Sequence, residues 1–292
     1  MASNATRRSV FSTAKPLILG MNVTEKNAIL ALSSTVAVGH VGLSAIAPTL
    51  NLIGRANAAL PTVVLSNHPG FNHTAGMQMP VETLGAMIQA IDDNDWLGNF
   101  GTILTGYLPS VAHVAFAVET IAKVCEANPA ARYICDPVLG DDPKGLYIDA
   151  EAAAAICGQL VPLADVLLPN RYELSVLANN QVASRNEAIQ AARAFSPAQV
   201  FAKSIPLAGD WLCNIHIQAE GVTSITVPRQ DDVPNGTGDM FSALIAAGWP
   251  LERATSALGT IIAASRGRSH LAIVEASDQW LNARPLALDS VK

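Results

Sequence analysis

The sequence predicts an α/β fold with a mostly parallel central sheet and helices on both faces. Short apolar segments of strand length alternate with segments of helix length, as in a parallel sheet that is covered on both sides. Most polar, glycine-bearing segments directly follow a strand, which is where ligands bind in such folds. The 292 residues suffice for one large domain or two small ones, and the absence of a repeat or linker favours one.

The predicted elements follow from local patterns taken in order along the chain. Residues 28–32 are an uninterrupted apolar run of strand length, and the helix at 44–53 ends at Gly54. The segment from Pro80 to Ile91 places its apolar residues on one helical face. We predict strands at 28–32, 61–66, 101–108, 131–138, 164–168 and 199–203, an antiparallel pair at 211–217 and 222–227, and helices at 44–53, 80–91, 110–127, 150–161, from 169 and from 239.

Composition excludes several classes of function. The formal net charge is −6 and no cluster of lysine and arginine marks a nucleic-acid surface, so we expect no nucleic-acid partner. The mean hydropathy is +0.29, yet no apolar stretch reaches the roughly 20 residues of a membrane span. The four cysteines form no CxxC pair and the six histidines are scattered, which disfavours a disulfide framework and a zinc enzyme. We therefore expect a cytoplasmic protein with free thiols.

The amino-terminal segment differs from the rest of the chain. Residues 1–24 contain three basic residues and no acid before Glu25, which weakly resembles an organellar transit peptide. An extension of a bacterial protein, or translation that starts at Met21, explains the segment equally well. We predict a poorly ordered extension at 1–26 and a single domain at 27–292.

The segment Gly236-Thr237-Gly238-Asp239 is the most informative one for chemistry. It is a glycine-containing turn that leads directly into an apolar helix, whose first N–H groups can bind an anion. A carboxylate beside such a site suggests a base in phosphoryl transfer. The tetrapeptide alone is also compatible with an ordinary turn in which Asp239 caps the helix, because short glycine motifs recur by chance.

Several ordered motifs carry a resemblance that resolves this ambiguity. Residues 136–141 (DPVLGD), Pro169-Asn170 with Glu173, and the turn at 236–239 resemble the ribokinase superfamily of small-molecule kinases. Three further segments, at 34–45, 66–68 and 105–108, resemble its pyridoxal kinase branch. The similarity extends from about Ile29 to about Ala264. It implies a three-layer ribokinase-like fold.

The resemblance also implies a nucleotide site and its cations. Asp239 is the candidate catalytic base, and the N–H groups of Gly236, Thr237 and Gly238 are the candidate anion hole. The implied ATP-binding residues are Asp136, Asp141, Asn170, Glu173, Lys203 and Ser204. Oxygen ligands suit Mg²⁺, which Asp136 and Glu173 would hold through water. Leu168 replaces a threonine of the animal members, which leaves a monovalent cation an open question.

The implied substrate is a pyridoxal-type vitamer. Ser34 and Thr62 match residues beside the pyridine ring, and His68 and Tyr107 match residues that pack on or close over the vitamer. We therefore expect an ATP-dependent pyridoxal kinase, a homodimeric transferase of vitamin B6 salvage that phosphorylates the 5′-hydroxymethyl group. The alternatives are a hydroxymethylpyrimidine kinase or another kinase of the superfamily, and a non-catalytic vitamer-binding protein.

Overall fold

The computed structural model describes residues 27–195 and 199–289. The predicted extension at 1–26 lies outside these residues. The strands are β1 (Ala28–Val36), β2 (Asn57–Leu65), β3 (Gly76–Gln78), β4 (Phe100–Thr105), β5 (Arg132–Cys135), β6 (Gly140–Asp141), β7 (Gly145–Leu146), β8 (Val166–Leu167), β9 (Gln199–Pro206), β10 (Trp211–Gln218) and β11 (Gly221–Pro228). The helices are α1 (Leu43–Leu52), α2 (Val81–Asp93), α3 (Val111–Ala127), α4 (Ala150–Ala155), α5 (Arg171–Leu177), α6 (Arg185–Arg193), α7 (Thr237–Ala246), α8 (Leu251–Ala264) and α9 (Ser277–Leu281).

Nine of these strands form one sheet in the order β11-β10-β9-β8-β5-β4-β1-β2-β3. The six strands from β9 to β2 in this order pair in parallel, whereas β10, β11 and β3 pair antiparallel. Strands β6 and β7 form a separate two-stranded hairpin. The mostly parallel sheet confirms the predicted fold class.

The sheet is covered on both faces because successive side chains of a strand point to opposite sides. On β1, Leu30 and Leu32 pack into a core that includes buried residues of α2, α3, α4, α5 and α6. Ile29 and Ala31 pack into the second core, with α1, α7, α8 and α9. This is the three-layer arrangement that the resemblance implied.

Several element boundaries differ from the predictions. Strand β2 begins at Asn57 rather than Pro61, and the proline lies within it, where the register with β1 shifts. A proline cannot donate a ladder hydrogen bond, which accounts for an irregularity at this point. The predicted helix at 150–161 divides after Ala155 into a π-turn and a 3₁₀ turn. Strand β5 ends at Cys135, before the predicted end at Val138, and β3 and α6 were not predicted.

Within residues 27–195 and 199–289, no helix has both the length and the apolar character needed to cross a bilayer. All four cysteines of the sequence are in the described ranges and are free thiols, as predicted.

Candidate active site at the carboxyl ends of the strands

The turn before α7 has the geometry of an anion-binding site. Gly236 is the N-cap of α7 and adopts a left-handed conformation with φ of 103°. Thr237, Gly238 and Asp239 are the first three helical residues, so their N–H groups lie at the free amino end of the helix. The helix dipole adds partial positive charge at the same point. The predicted turn and helix junction are therefore present as expected.

Asp239 is partly buried within the first turn of α7. Burial raises the pKa of this carboxyl from its ordinary value to about 6, against the opposing effect of the Gly42 N–H group. The negative charge of Asp136 raises the pKa further, and the positive charge of Lys203 lowers it. A carboxylate with a pKa just below neutral pH suits a general base.

Asp136 and Lys203 form a buried ion pair. The ammonium of Lys203 lies 2.9 Å from each carboxylate oxygen of Asp136. The Ser242 hydroxyl, which belongs to α7, donates a further hydrogen bond of 2.5 Å to the same carboxylate. Burial disfavours the charged form of Lys203, but the charges of Asp136 and Glu173 outweigh this effect and raise its pKa above the ordinary value. The lysine is therefore a permanent cation.

The Lys203 ammonium lies beside the anion-binding turn. A Cβ atom placed on Gly238 would be 3.7 Å from Nζ of Lys203. This position brings a full positive charge next to the N–H groups at the start of α7. Among the predicted nucleotide residues, Lys203 and Asp136 are thus placed against the turn.

Asn170 and Glu173 close the amino end of α5 with a capping box. The Asn170 side chain accepts from the Glu173 N–H group, and Glu173 Oε2 accepts from the Asn170 N–H group, both at 2.8 Å. Glu173 Oε1 accepts from the Leu139 N–H group at 3.0 Å, and Asn170 Nδ2 donates to Gly140 at 2.9 Å. The two side chains therefore fasten the segment after β5 to α5. Glu173 is only 2% exposed, and burial raises the pKa of its carboxyl.

Three predicted nucleotide residues line one surface cavity of about 300 Å³. Asp141, Asn170 and Ser204 lie on its wall together with Arg171 and Arg229. Arg171 is paired with Asp142, which also lines the cavity. The Arg229 guanidinium beside hydrogen-bonding side chains suits a polyanionic ligand. A larger cavity, of about 480 Å³ beside α6, contains none of the predicted site residues.

The backbone is strained close to both members of the ion pair, two residues after Asp136 and one residue after Lys203. Val138 has φ of 42° and Ser204 has φ of 55°. A β-branched residue in this region is an outlier, and such strain is frequent at ligand sites. The Ser204 conformation is supported by its N–H group, which donates to Asn214 Oδ1 at 2.9 Å.

Three of the four predicted substrate residues, Ser34, His68 and Tyr107, lie near or just after the ends of the neighbouring strands β1, β2 and β4. The fourth, Thr62, lies within β2. Ser34 is partly exposed near the end of β1, where a Cβ atom on Gly42 would overlap its carbonyl oxygen and approach its hydroxyl. Thr62 is fully buried in β2, and its hydroxyl donates to the Tyr107 carbonyl at 2.7 Å. The Thr62 hydroxyl therefore already donates its hydrogen bond within the protein. The Tyr107 hydroxyl is 3.5 Å from the Tyr147 carbonyl.

His68 connects the loop after β2 to the turn before α7. Its Nδ1 accepts from the Gly70 N–H group at 3.0 Å and lies 3.5 Å from Nδ2 of Asn235. Burial, followed by the positive charge of Lys144, lowers the pKa of His68. The neutral ring with Nδ1 as acceptor carries its proton on Nε2, which leaves one donor for a ligand.

Sequence reasoning missed several residues of this site. Ser242 follows Asp239 by three positions on α7, so the two side chains are neighbours on one face of the helix. This spacing could have been read from the sequence. The buried Ser33 hydroxyl accepts from the Tyr107 N–H group at 3.0 Å, and nothing in the local sequence distinguishes it from Ser34. Arg229 follows β11 and reaches the cavity only through tertiary structure.

The described residues contain no cluster of three or more histidine, cysteine, aspartate or glutamate side chains suited to a metal ion. Both oxygens of Asp136 and both oxygens of Glu173 already have partners within the protein. This donor set does not suit direct coordination, but it leaves lone pairs for contact through water. The side chain of Leu168 is fully buried in the core and carries no oxygen for a monovalent cation.

Comparison with known proteins identifies the family. The sequence model of the phosphomethylpyrimidine kinase family matches residues 55–264. The chain is 33% identical over 239 residues to a pyridoxine/pyridoxal/pyridoxamine kinase of Bordetella avium, covering 78% of this chain and 81% of that protein. It is 29% identical over 272 residues to pyridoxal kinase PdxY of Leifsonia xyli subsp. xyli, covering 88% and 96%.

Solved structures agree with this relationship. The pyridoxal kinase of Leishmania donovani in complex with ADP and pyridoxine superposes with a TM-score of 0.85 at 28% identity, covering 92% of this chain and all of that one. Pyridoxal kinase of Trypanosoma brucei superposes with a TM-score of 0.79 at 29% identity, covering 90% and 98%. The predicted resemblance is confirmed: the chain belongs to the phosphomethylpyrimidine kinase family of ribokinase-like enzymes, together with these pyridoxal kinases.

Proposed function

We propose that this protein is an ATP-dependent pyridoxal kinase that phosphorylates the 5′-hydroxymethyl group of pyridoxal, pyridoxine or pyridoxamine in vitamin B6 salvage. The observation that carries this proposal is the carboxylate of Asp239 in the anion-binding turn at the start of α7. The relatives named as pyridoxal kinases, one of them in complex with ADP and pyridoxine, support the choice of substrates.

The reaction is a direct in-line transfer. Asp239 accepts the proton of the substrate hydroxyl while its oxygen forms a bond to the γ-phosphorus of ATP. The bond between that phosphorus and the bridging oxygen breaks, and ADP leaves. The N–H groups of Gly236, Thr237 and Gly238, together with the Lys203 ammonium, stabilise the negative charge of the transferred group.

The nucleotide occupies the cavity lined by Asp141, Asn170 and Ser204. Arg229 on its wall supports binding of phosphate or ribose oxygens. Asp136 and Glu173 would contact Mg²⁺ through water, and the ion would neutralise phosphate charge.

The vitamer lies between the end of β1 and the loops after β2 and β4. Ser34 and the Nε2 donor of His68 supply polar contacts to the pyridine ring, and Tyr107 closes over it. Thr62 and Ser33 hold the Tyr107 backbone from two sides. A pocket with a few convergent polar groups on an otherwise apolar scaffold is typical of small-molecule sites.

We further propose a cytoplasmic homodimer. The edge of the sheet exposes apolar side chains that a second copy would cover: Val64 and Met77 are paired across β2 and β3, and Val38 follows β1 beside them. Exposed apolar patches of this kind mark interfaces. The four free thiols support a reducing compartment.

A hydroxymethylpyrimidine kinase is the second candidate, because the matching family model carries the name phosphomethylpyrimidine kinase. A panel of pyridoxal, pyridoxine, pyridoxamine and hydroxymethylpyrimidine, each with ATP and Mg²⁺, separates the two by kcat/KM. We expect the highest value for one of the three vitamers. If kcat/KM is highest for hydroxymethylpyrimidine, the protein is a hydroxymethylpyrimidine kinase. Binding of pyridoxal without ATP consumption would instead indicate a non-catalytic vitamer-binding protein.

A further inference from the structure

The Lys203 ammonium has capacity for one more ligand. An ammonium group carries three N–H donors, and the two oxygens of Asp136 accept two of them at 2.9 Å. Within the part of the chain that the structure describes, no third acceptor lies in hydrogen-bond range of this group. Its Nζ atom is next to Gly238, so the remaining donor can meet an anion at the start of α7.

This ammonium is held among three acids. Asp136 pairs with it directly, while the charges of Glu173 and Asp239 act on it from a greater distance. Lys203 is 8% exposed and Asp136 is 4% exposed, so little water screens these charges. The position of the Lys203 ammonium therefore depends on which carboxylate it pairs with and on how that carboxylate is oriented.

Ser242 fixes that orientation. A carboxylate turns readily about its last side-chain torsion, because the energy profile of that torsion is broad. The hydroxyl of Ser242, on α7, donates to Asp136 Oδ2 at 2.5 Å, and this oxygen also accepts from Lys203 of β9. The serine is 1% exposed, so a bound ligand cannot reach it. The hydrogen bond to Asp136 is the contact through which Ser242 acts on the Lys203 ammonium.

Helix α7 thus carries both the candidate base and the residue that orients the partner of the Lys203 ammonium. Asp239 and Ser242 are three positions apart on this helix. We infer that Ser242 is a positioning residue that, through Asp136, places the Lys203 ammonium where it binds the transferred phosphoryl group. This inference rests on the proposed kinase function and assigns Asp136 first to Lys203 and only second to a metal ion.

The first experiment compares Ser242→Ala with Ser256→Ala. Ser256 of α8 is a matched control, because its buried hydroxyl also donates a 2.5 Å hydrogen bond, to the Arg284 carbonyl, away from the site. We expect Ser242→Ala to lower kcat roughly tenfold, the scale of one hydrogen bond to a charged group, with the KM for pyridoxal unchanged. Ser256→Ala should leave kcat unchanged, and Ser242→Thr, which restores the hydroxyl, should recover part of the loss.

The second experiment is a double-mutant cycle with Lys203→Met. If Ser242 acts through the lysine, Ser242→Ala has little further effect on kcat once Lys203 has been replaced. Should Lys203→Met fail to fold, Lys203→Gln, which can still donate to Asp136, takes its place. If Ser242→Ala still lowers kcat roughly tenfold after Lys203 has been replaced, the inference is wrong. It is also wrong if Ser242→Ala and Ser256→Ala lower kcat equally.

A readout without turnover separates this inference from the proposed function. The Kd of the non-hydrolysable analogue AMP-PNP, measured by calorimetry in the presence of Mg²⁺, should rise severalfold in Ser242→Ala and remain unchanged in Ser256→Ala. If the wild type phosphorylates none of the four substrates, the proposed function fails while this measurement still decides the role of Ser242. An unchanged Kd together with unchanged kcat refutes the positioning role.

Discussion

Gly236 packs so closely against His40 that its Cα leaves no space for a side chain: a Cβ atom at this position would overlap the carbonyl oxygen of His40. The His40 ring in turn hydrogen-bonds through Nδ1 to the Leu271 carbonyl. The loop after β1, the turn before α7 and the segment after α8 are therefore joined at one point. The anion-binding turn is held by this packing as well as by its own conformation.

Gly236→Ala should abolish activity and destabilise the fold. The substituted residue meets both a left-handed backbone, at φ of 103°, and the overlap with His40. We expect a loss of at least 1–3 kcal/mol in the free energy of unfolding, the scale of a strained backbone. Gly248→Ala is the matched control, since Gly248 has φ of 86° but no neighbour within 4 Å of a Cβ atom. Urea denaturation of both variants tests this, and equal losses would assign the whole effect to backbone strain.

Asp239→Asn should remove the base without removing the site. We expect kcat to fall by about 10²–10⁴-fold, the usual contribution of a general base, while the KM values change little. Steady-state kinetics with pyridoxal and ATP measure both quantities. Full activity of this variant would exclude Asp239 as the base.

The pH dependence of the wild type should report the same carboxyl. Asp239 must be ionised to accept a proton, and its pKa is raised to about 6 in the folded protein. We therefore expect kcat/KM to fall as the pH decreases through about 6, tenfold per pH unit below it. A profile that stays flat down to pH 5 would contradict the assignment, provided that the fold is intact there by circular dichroism.

Asp239→Asn should also stabilise the protein at neutral pH. The folded pKa of about 6 exceeds the ordinary value of 3.8, so ionisation costs free energy in the folded state. This carboxyl therefore favours folding fully below about pH 4, and its contribution is lost as the pH rises through about 6. At pH 7 we expect the variant to gain on the order of 1–3 kcal/mol, since one pKa unit corresponds to about 1.4 kcal/mol. Thermal unfolding at pH 7 measures this gain in stability. A lower Tm for the variant would show that neighbouring groups stabilise the Asp239 carboxylate, which contradicts the prediction.

Glu173→Ala should affect both stability and nucleotide binding. The substitution leaves the N–H groups of Asn170 and Leu139 without their acceptor in a buried setting. We expect a loss of about 2–4 kcal/mol in unfolding free energy and a higher KM for ATP. Glu187→Ala is the control, because Glu187 closes α6 by a similar capping arrangement on the surface and should cost less. Equal losses would show that burial of Glu173 adds nothing.

Much of the fold followed from local patterns. The apolar runs, and the apolar residues on one face of α2, predicted the order of strands and helices along the chain. They do so because the spacing of buried apolar residues differs between strands and helices. The errors lie where the local pattern is weak. The edge strand β3 has only three residues, all exposed, which is too short for an alternating pattern. The predicted helix at 150–161 divides in a segment that contains Gly158, a weak helix former.

The sequence by itself determined the family, the order of the motifs along the chain and the candidate for the base, because motifs and glycine turns are local properties. Only the tertiary structure decided what each side chain does. Asp136 and Lys203 are 67 positions apart, and Asp136 and Ser242 are 106 apart, yet they form one buried cluster. Burial and charge pairing depend on which strand ends meet, and this is set by the packing of the whole sheet.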